Sequence, residues 1–282
     1  AGSRTLAQQQ QQDPTKLNGG SCLAMAGKDC VALVLDSRFG SGTSLVNVQS
    51  RHVLLPPPSQ RHSDEQKLFV VALQGLQSDV LSLEQELKMA MQNKYSRSTI
   101  GKVSVLDKNG DDDDGNAHMS PRSLSAFTSR LLYGRKQAPY YVEPMIIGLE
   151  PYRVTHKNEK GLLTSAVKYR PYLCSMDLLG SLQEQPSLDD VAVANAVTSA
   201  KHEGNPQPAA TFCCMGAAVP SLYGTAQAFW KPNMDESELA RTCAQAFLAA
   251  CERDCLSGYG ARMYLLTGTR GVSVYDIMTR ND

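Results

Sequence analysis

The order of the predicted elements is the feature that most constrains the fold of this chain. Short β-rich runs follow residue 20, two helical stretches come next, a second group of strands follows, and two more helices precede a closing hairpin. Segregation of strands and helices into blocks favours an α+β layered domain over a parallel doubly wound sheet. We therefore predict a four-layer αββα sandwich, in which helices flank two antiparallel sheets on both outer faces.

The predicted elements are delimited by turn and capping signals. The opening hairpin consists of Ser21–Ala26 and Cys30–Asp36, which are joined by Gly27-Lys28-Asp29. Asp79 suits the N-cap of a first helix, and Ser120-Pro121 suits the start of a second helix that ends near residue 135. The remaining predictions are helices over 220–230 and 236–255, and strands over 53–55, 67–73, 140–149, 172–178, 211–215, 261–267 and 272–278.

Composition excludes several classes of protein. The 28 basic and 28 acidic side chains balance, so neither a nucleic-acid partner nor a membrane partner is expected. The longest apolar stretches, such as residues 68–73, are too short to cross a bilayer, and the beginning of the chain lacks a secretory signal. The eight cysteines lie mostly in apolar segments, as expected of free thiols in a soluble intracellular protein. Without a CxxC pair, no zinc site and no other cofactor is predicted.

Polar stretches divide the chain into a tail, one domain and several insertions. Residues 1–18 are rich in glutamine and are predicted to be a disordered tail, and residues 19–282 form a single domain. Insertions are expected near 56–66, 101–118, 155–168 and 182–210, of which 155–168 is predicted to be an extended hairpin arm. The acidic run Asp111 to Asp114 is interpreted as a solvated loop, because a calcium loop would need glycine at Asp112 and glutamate at His118.

Several fragments of the sequence are similar to one known family. They are the opening hairpin with its D-S-R motif at 36–38, A-P-Y-Y-V-E-P at 138–144, C-S-M-D-L-L-G at 174–180, W-K-P-N-M-D at 230–235 and E-R-D-C-L-S-G-Y-G at 252–260. On these motifs the chain resembles proteasome beta-type subunits, which belong to the N-terminal nucleophile hydrolases. The resemblance is strongest to the non-catalytic beta-type-3 members. It implies the same αββα fold.

The resemblance implies that the catalytic position is vacant. Active members carry a threonine sixteen positions before the Asp of the D-S-R motif, and that position is Gly20 in this chain. In those members the threonine hydroxyl attacks a peptide carbonyl and its own α-amine serves as the base. Loss of a nucleophile costs on the order of a million-fold in comparable hydrolases. We therefore predict a catalytically inactive subunit. It cannot cleave its own N-terminal tail, so the tail should persist.

The resemblance also assigns the rest of the vestigial site. His52 stands at the lysine position, Gly75 at the oxyanion glycine and Ala217 at a serine position; Asp36, Asp254 and Ser257 are retained. We interpret both aspartates as structural carboxylates, His52 as an ordinary half-buried histidine and Ser257 as a turn-capping hydroxyl. Asp177, with Ser181, either lines the substrate pocket of a neighbouring trypsin-like subunit or is a solvated interface residue.

Three functions compete. The first is a structural subunit of the beta ring of a 20S proteasome in cytoplasm and nucleus. It would be part of an obligate hetero-oligomer, with two ring neighbours, the opposite beta ring and the alpha ring as its partners. In this assembly it would support ubiquitin-dependent degradation. The second is an endopeptidase that uses Ser21 or Cys22 after trimming. Strand alternation turns Ser21 to the opposite face, and Cys22 is displaced along the strand. The third is a free-standing adaptor.

Overall fold

We analysed the chain as a computed structural model that describes residues 13–48, 52–56, 68–101, 119–157, 163–186 and 211–279. Within these ranges the helices are α1 (Gln77–Gly101), α2 (Pro121–Gly134), α3 (Val219–Phe229) and α4 (Glu236–Cys251). The strands are β1 (Ser21–Ala26), β2 (Cys30–Asp36), β3 (Arg38–Ser41), β4 (Ser44–Val48), β5 (Val53–Leu54), β6 (Leu68–Gly75), β7 (Val142–Lys157), β8 (Leu163–Met176), β9 (Leu182–Glu184), β10 (Phe212–Gly216), β11 (Ala261–Thr267) and β12 (Gly271–Ile277).

Two five-stranded antiparallel sheets form the centre of the molecule. The first sheet has the order β10-β1-β2-β11-β12, and the second has the order β5-β6-β7-β8-β9. Strands β3 and β4 form a separate two-stranded sheet. Helices α3 and α4 cover the outer face of the first sheet, while α1 and α2 cover the outer face of the second. The predicted αββα sandwich is therefore confirmed.

Strand alternation separates the interior into three layers of apolar side chains. In β1, Leu23 and Met25 pack against α3 and α4, while Cys22 and Ala24 face the second sheet. β2 follows the same rule, because a strand turns successive side chains to opposite faces. Both strands are buried on both faces and are therefore almost continuously apolar.

The helix boundaries agree with the predictions at α2 and differ at α1 and α4. Ser120 caps α2 by accepting a hydrogen bond from the Ser123 N–H at 3.1 Å, as predicted. Helix α1 begins at Gln77, and the predicted cap at Asp79 was wrong because the Asp79 carboxylate instead accepts the Tyr141 N–H at 2.9 Å. Helix α4 ends at Cys251 and not at residue 255, because the chain turns there toward the loop that contains Asp254.

The tail and the insertions are described only in part. Residues 13–18 were predicted to be disordered, which is wrong for this part of the tail: Pro14–Lys16 forms a 3-10 turn, and Thr15 and Asn18 are buried. The predicted arm around 155–168 is confirmed as the paired ends of β7 and β8. The insertion near 182–210 begins with the edge strand β9, which the sequence did not predict. The remainder of these segments, at 1–12, 57–66, 102–118, 158–162 and 187–210, lies outside the described residues.

In the described part of the chain, none of the helices is both long enough and apolar enough to cross a membrane.

Candidate functional site

The candidate site begins at the residue that precedes β1. Gly20 is buried and adopts a φ of 90°, a conformation that favours glycine. Its N–H donates to the Leu256 carbonyl at 3.0 Å, and its own carbonyl accepts the Ala217 N–H at 2.9 Å. A Cβ at Gly216 would lie 2.2 Å from the Gly20 oxygen, so the close approach of the two backbones requires glycine at residue 216. Gly20 thus contributes main-chain contacts to the site.

Asp36 joins β1 to the loop that follows α4. It lies at the end of β2 and is only 1% exposed. Its Oδ1 accepts the Ser21 N–H at 3.1 Å, and its Oδ2 accepts the Gly258 N–H at 3.1 Å. Hydrogen bonds of this kind stabilise the ionised form of a buried carboxylate. The structural role of Asp36 stays a prediction; the geometry shows that its carboxylate connects two main-chain segments.

Ser21, Ser257 and Asp254 form a buried hydroxyl network. The Ser257 hydroxyl donates to Asp254 Oδ2 at 2.6 Å, so the 2.6 Å contact between the two serine hydroxyls must be donated by Ser21. The Ser21 oxygen in turn accepts the Ala218 N–H at 2.8 Å. Asp254 Oδ1 also accepts the Leu256 N–H at 3.2 Å, which shapes the loop. The structure thus brings Gly20, Asp36, Ala217, Asp254 and Ser257 into one cluster.

Gly75 and His52 lie at the start of α1. Gly75 has a φ of 137°, and a Cβ there would lie 2.1 Å from the Tyr141 carbonyl, so close packing of β6 on the chain before β7 requires glycine. His52 Nδ1 lies 2.7 Å from Glu84 Oε2, and its Nε2 lies 2.7 Å from Gln77 Nε2. These two contacts hold the ring between Gln77 and Glu84. In the described part of the chain, neither ring nitrogen bonds to Asp36.

Glu84 is the electrostatic partner of His52. Burial by itself would raise the pKa of the Glu84 carboxyl, but hydrogen bonds from Lys88 and His52 bring that pKa below its ordinary value. Lys88 Nζ lies 2.6 Å from Glu84 Oε1. His52, which stands where active relatives are expected to have a lysine, therefore anchors the chain before β5 to α1.

Neither of the alternative nucleophiles is accessible. Ser21 and Cys22 are both 0% exposed. The Cys22 thiol contacts Met145 Sδ at 3.8 Å. Burial, followed by the neighbouring Cys214 and Cys213 thiols, raises the pKa of Cys22 well above its ordinary value, which disfavours a thiolate.

Asp177 and Ser181 lie in a separate turn after β8. Asp177 Oδ1 accepts the N–H groups of Leu179 at 2.9 Å and of Ser181 at 2.8 Å. Asp177 is half-buried and Ser181 is exposed. The turn packs on α2 through the Ser129 hydroxyl, which donates to the Gly180 carbonyl at 2.6 Å. The structure does not place this pair in the cluster around Gly20.

Asn18 is the residue of this region that the sequence did not reveal. It belongs to the segment predicted to be disordered, yet it is 9% exposed and contacts both β3 and the first residue of α1. Asn18-Gly19-Gly20 is a turn-forming sequence, and this is the only local signal it gives. Buried Arg38 lies nearby and donates to the carbonyls of Gly42 and Thr43.

Among the described residues, no group of three or more His, Cys, Asp or Glu side chains could hold a metal ion. The arrangement is a hydrogen-bonded cluster of carboxylates, hydroxyls and main-chain groups.

Comparison with known proteins finds similarity to one kind of subunit over about nine tenths of the chain. The proteasome subunit family model matches residues 190–266. Proteasome subunit beta type-3 of Drosophila melanogaster is 28% identical over 249 residues, which is 88% of this chain and 90% of the relative. The beta type-3 subunit of Dictyostelium discoideum is 29% identical over 256 residues, 91% of this chain and 93% of the relative. That of Trypanosoma brucei brucei is 28% identical over 252 residues, 89% and 90% of the two chains.

Proposed function

We propose that this chain belongs to the proteasome subunit family and is a non-catalytic beta subunit of the 20S core particle. Its role is architectural: it encloses the proteolytic chamber, supports neighbouring active subunits and so takes part in protein degradation. We expect the assembled particle to carry out ubiquitin-dependent protein degradation in cytoplasm and nucleus.

The observation that carries the proposal is the composition of the cluster around Gly20. The retained acidic and hydroxyl groups bind main-chain N–H groups and one another. The residue next to these groups, before β1, is Gly20, which has no side-chain hydroxyl. Threonine-type chemistry needs such a hydroxyl at this residue. We therefore propose that the subunit is silent.

Exposed aliphatic side chains support assembly with other subunits. β4 is exposed along its whole length, and Val46 is 60% exposed. Met278, near the end of the described chain, is 92% exposed. Such side chains are typically covered when an obligate complex forms. We propose the arrangement of a beta ring, with two ring neighbours, the opposite beta ring and the alpha ring as partners.

We also propose that the turn around Asp177 shapes a neighbouring subunit's substrate pocket. Asp177 Oδ1 is used by the turn, which fixes the direction of the carboxylate. A carboxylate held in this way and partly open to solvent can favour a basic side chain presented by a substrate. The exposed Ser181 would adjoin the same pocket.

Size-exclusion chromatography of a native extract tests the proposed function. An antibody against this chain should detect it with the large, peptide-cleaving particle, and a known proteasome subunit serves as the matched control. Elution near 30.7 kDa would instead support a free-standing adaptor. Labelling of this chain by an inhibitor that reacts with N-terminal nucleophiles would support the endopeptidase that uses Ser21 or Cys22.

A further inference from the structure

We propose that Asn18-Gly19 is a self-modifying site, at which the Asn18 amide is converted into aspartate and isoaspartate while the chain is unfolded and is protected once the chain has folded. The reacting groups are the side chain of Asn18 and the main-chain nitrogen of Gly19. The inference concerns the chemistry of these residues, and it does not depend on the proposed role in a ring.

The reaction consumes only water. The Gly19 nitrogen attacks Asn18 Cγ, so a new C–N bond forms and the bond between Cγ and Nδ2 breaks. The Gly19 nitrogen gives up its proton, and the side-chain nitrogen leaves as ammonia, which produces a cyclic imide. Water then adds to either imide carbonyl and opens the ring, to aspartate or to isoaspartate. Glycine after asparagine favours the attack, because it has no Cβ that would hinder a close approach.

In the folded chain, both reacting groups make hydrogen bonds that the reaction has to break. Asn18 Nδ2 donates to the Gly40 carbonyl at 3.0 Å, and this bond is lost when the nitrogen leaves as ammonia. The Gly19 N–H donates to the Lys16 carbonyl at 3.0 Å, and this bond is lost when the nitrogen gives up its proton. Each lost bond raises the barrier to cyclisation.

The other contacts of Asn18 fix the direction of its amide and keep water away. Its Oδ1 accepts the N–H of Gln77, the first residue of α1, at 2.9 Å. This bond caps α1, because the preceding Leu76 has no polar side chain. The Asn18 main-chain carbonyl accepts the Gly40 N–H at 3.0 Å. Asn18 is 9% exposed and Gly19 is buried, so the fold slows both the cyclisation and the hydrolysis.

Both products lack contacts that asparagine makes. Aspartate keeps the acceptor for Gln77 but has no donor for Gly40. Isoaspartate also inserts an extra carbon into the main chain before Gly19. A Cβ at Gly19 would lie 2.6 Å from Arg38 Nη1 and 2.7 Å from the Leu256 oxygen, so a displaced main chain has no room there. A chain that stays unfolded for long therefore loses contacts that its native fold requires.

Peptide mass spectrometry of the full chain tests the inference. The native subunit in its assembly and the same chain in urea are incubated at one slightly alkaline pH and then digested. Asparagine, aspartate and isoaspartate at residue 18 are quantified over time. Conversion should be about 10- to 100-fold slower in the native subunit, because the two hydrogen bonds to Gly40 and Lys16 have to be broken there.

The sequence offers an internal control for this measurement. Asn109-Gly110 is a second Asn-Gly pair, which lies outside the described residues, and it should be converted in urea as Asn18 is. Equal rates at residue 18 in the native subunit and in urea would overturn the inference. Conversion of Asn109 in urea without conversion of Asn18 would overturn it as well.

Gly19→Ala tests the attacking group in urea, where the fold has no influence. The added methyl group hinders the approach of the residue 19 nitrogen, so conversion of Asn18 should be slower than in the wild-type chain. Unchanged conversion would contradict the role of this nitrogen.

Asn18→Asp tests the consequence for the fold. It removes the donor to Gly40 and keeps the acceptor for Gln77, so the purified chain should unfold at a lower urea concentration than the wild type. Asn47→Asp is the matched control, since Asn47 is exposed and its Oδ1 accepts the adjacent Val48 N–H, as a carboxylate also does. Equal unfolding midpoints of Asn18→Asp and the wild type would show that the modification leaves the fold intact, against the inference.

Discussion

The Ser21 amide N–H donates to Asp36 Oδ1 at 3.1 Å, while Asp36 Oδ2 accepts the Gly258 N–H. The carboxylate that active relatives are expected to use near a terminal amine binds two main-chain N–H groups here. It connects β1 to the loop after α4. We predict that it contributes to stability, and that contribution can be measured.

Asp36→Asn should lower the free energy of unfolding by about 1–3 kcal/mol. Asparagine offers one acceptor oxygen, so its NH₂ group would face the N–H of either Ser21 or Gly258. Urea unfolding of the purified chain provides the measurement. Asp276→Asn is the matched control because Asp276 is exposed, and a change within about 0.5 kcal/mol is expected there. Equal effects of the two substitutions would contradict the proposed role of Asp36.

The intact mass of the subunit in the particle should include residues before Gly20. Self-cleavage between Gly19 and Gly20 needs a hydroxyl at residue 20, and both glycines are buried and hydrogen-bonded. Mass spectrometry of the denatured particle gives the mass directly, and a threonine-type active subunit in the same sample serves as the processed control. A chain that starts at Gly20 would show that the tail is removed.

Ionisation of the Glu143 carboxyl should lower the free energy of unfolding as pH rises from about 4 toward neutrality. Burial, followed by the charge of Asp13, raises the pKa of the Glu143 carboxyl above its ordinary value, and Lys16 opposes this only in part. The native state therefore holds the proton to higher pH than the unfolded chain. The stabilisation is complete below the ordinary pKa of glutamate and is lost as pH rises through the raised pKa.

Glu143→Gln, which keeps the shape of the neutral carboxyl, should match the wild type near pH 4 and exceed it in stability near pH 7. Glu143 is half-buried, so screening by solvent keeps the expected gain below about 1 kcal/mol. Urea unfolding of both chains at the two pH values gives the difference. A wild type that is the more stable of the two at pH 7 would show that the carboxylate is stabilised by a cation.

Asp177→Asn should reduce cleavage after arginine and lysine by the assembled particle by roughly tenfold, the effect of losing one charge-assisted hydrogen bond. The amide oxygen can still accept the Leu179 and Ser181 N–H groups, so the turn should survive. Fluorogenic peptides with basic or apolar residues before the cleaved bond separate the pocket effect from a general loss of activity. Unchanged cleavage after basic residues would remove Asp177 from the pocket and leave it as a turn residue.

Local signals explain how much of the fold could be predicted. The hairpin of β1 and β2 and the cap of α2 are encoded by neighbouring residues, and both were predicted correctly. β4 was missed because all of its residues are exposed, so its side chains show no alternation between apolar and polar. Asp79 looked like a helix cap, but the competing partner Tyr141 lies far along the chain.

The candidate site, like the fold, could be predicted from the sequence only in part. The resemblance to a known family, carried by motifs in the sequence, was enough to select Gly20, Asp36, Asp254 and Ser257, which the structure brings together. Their functional roles stay predictions. The capping of α1 by Asn18 could not be read from the sequence, because this contact joins residues that are 59 positions apart.

The hydroxyl contact between Ser21 and Ser257 joins residues 236 positions apart. During synthesis, β1 leaves the ribosome early, whereas its hydroxyl partner is made almost last. The Ser21 hydroxyl therefore lacks this partner until Ser257 has been translated, and contacts of such long range form slowly. A product truncated before the loop that contains Ser257 would leave the Ser21 hydroxyl buried without this hydrogen bond.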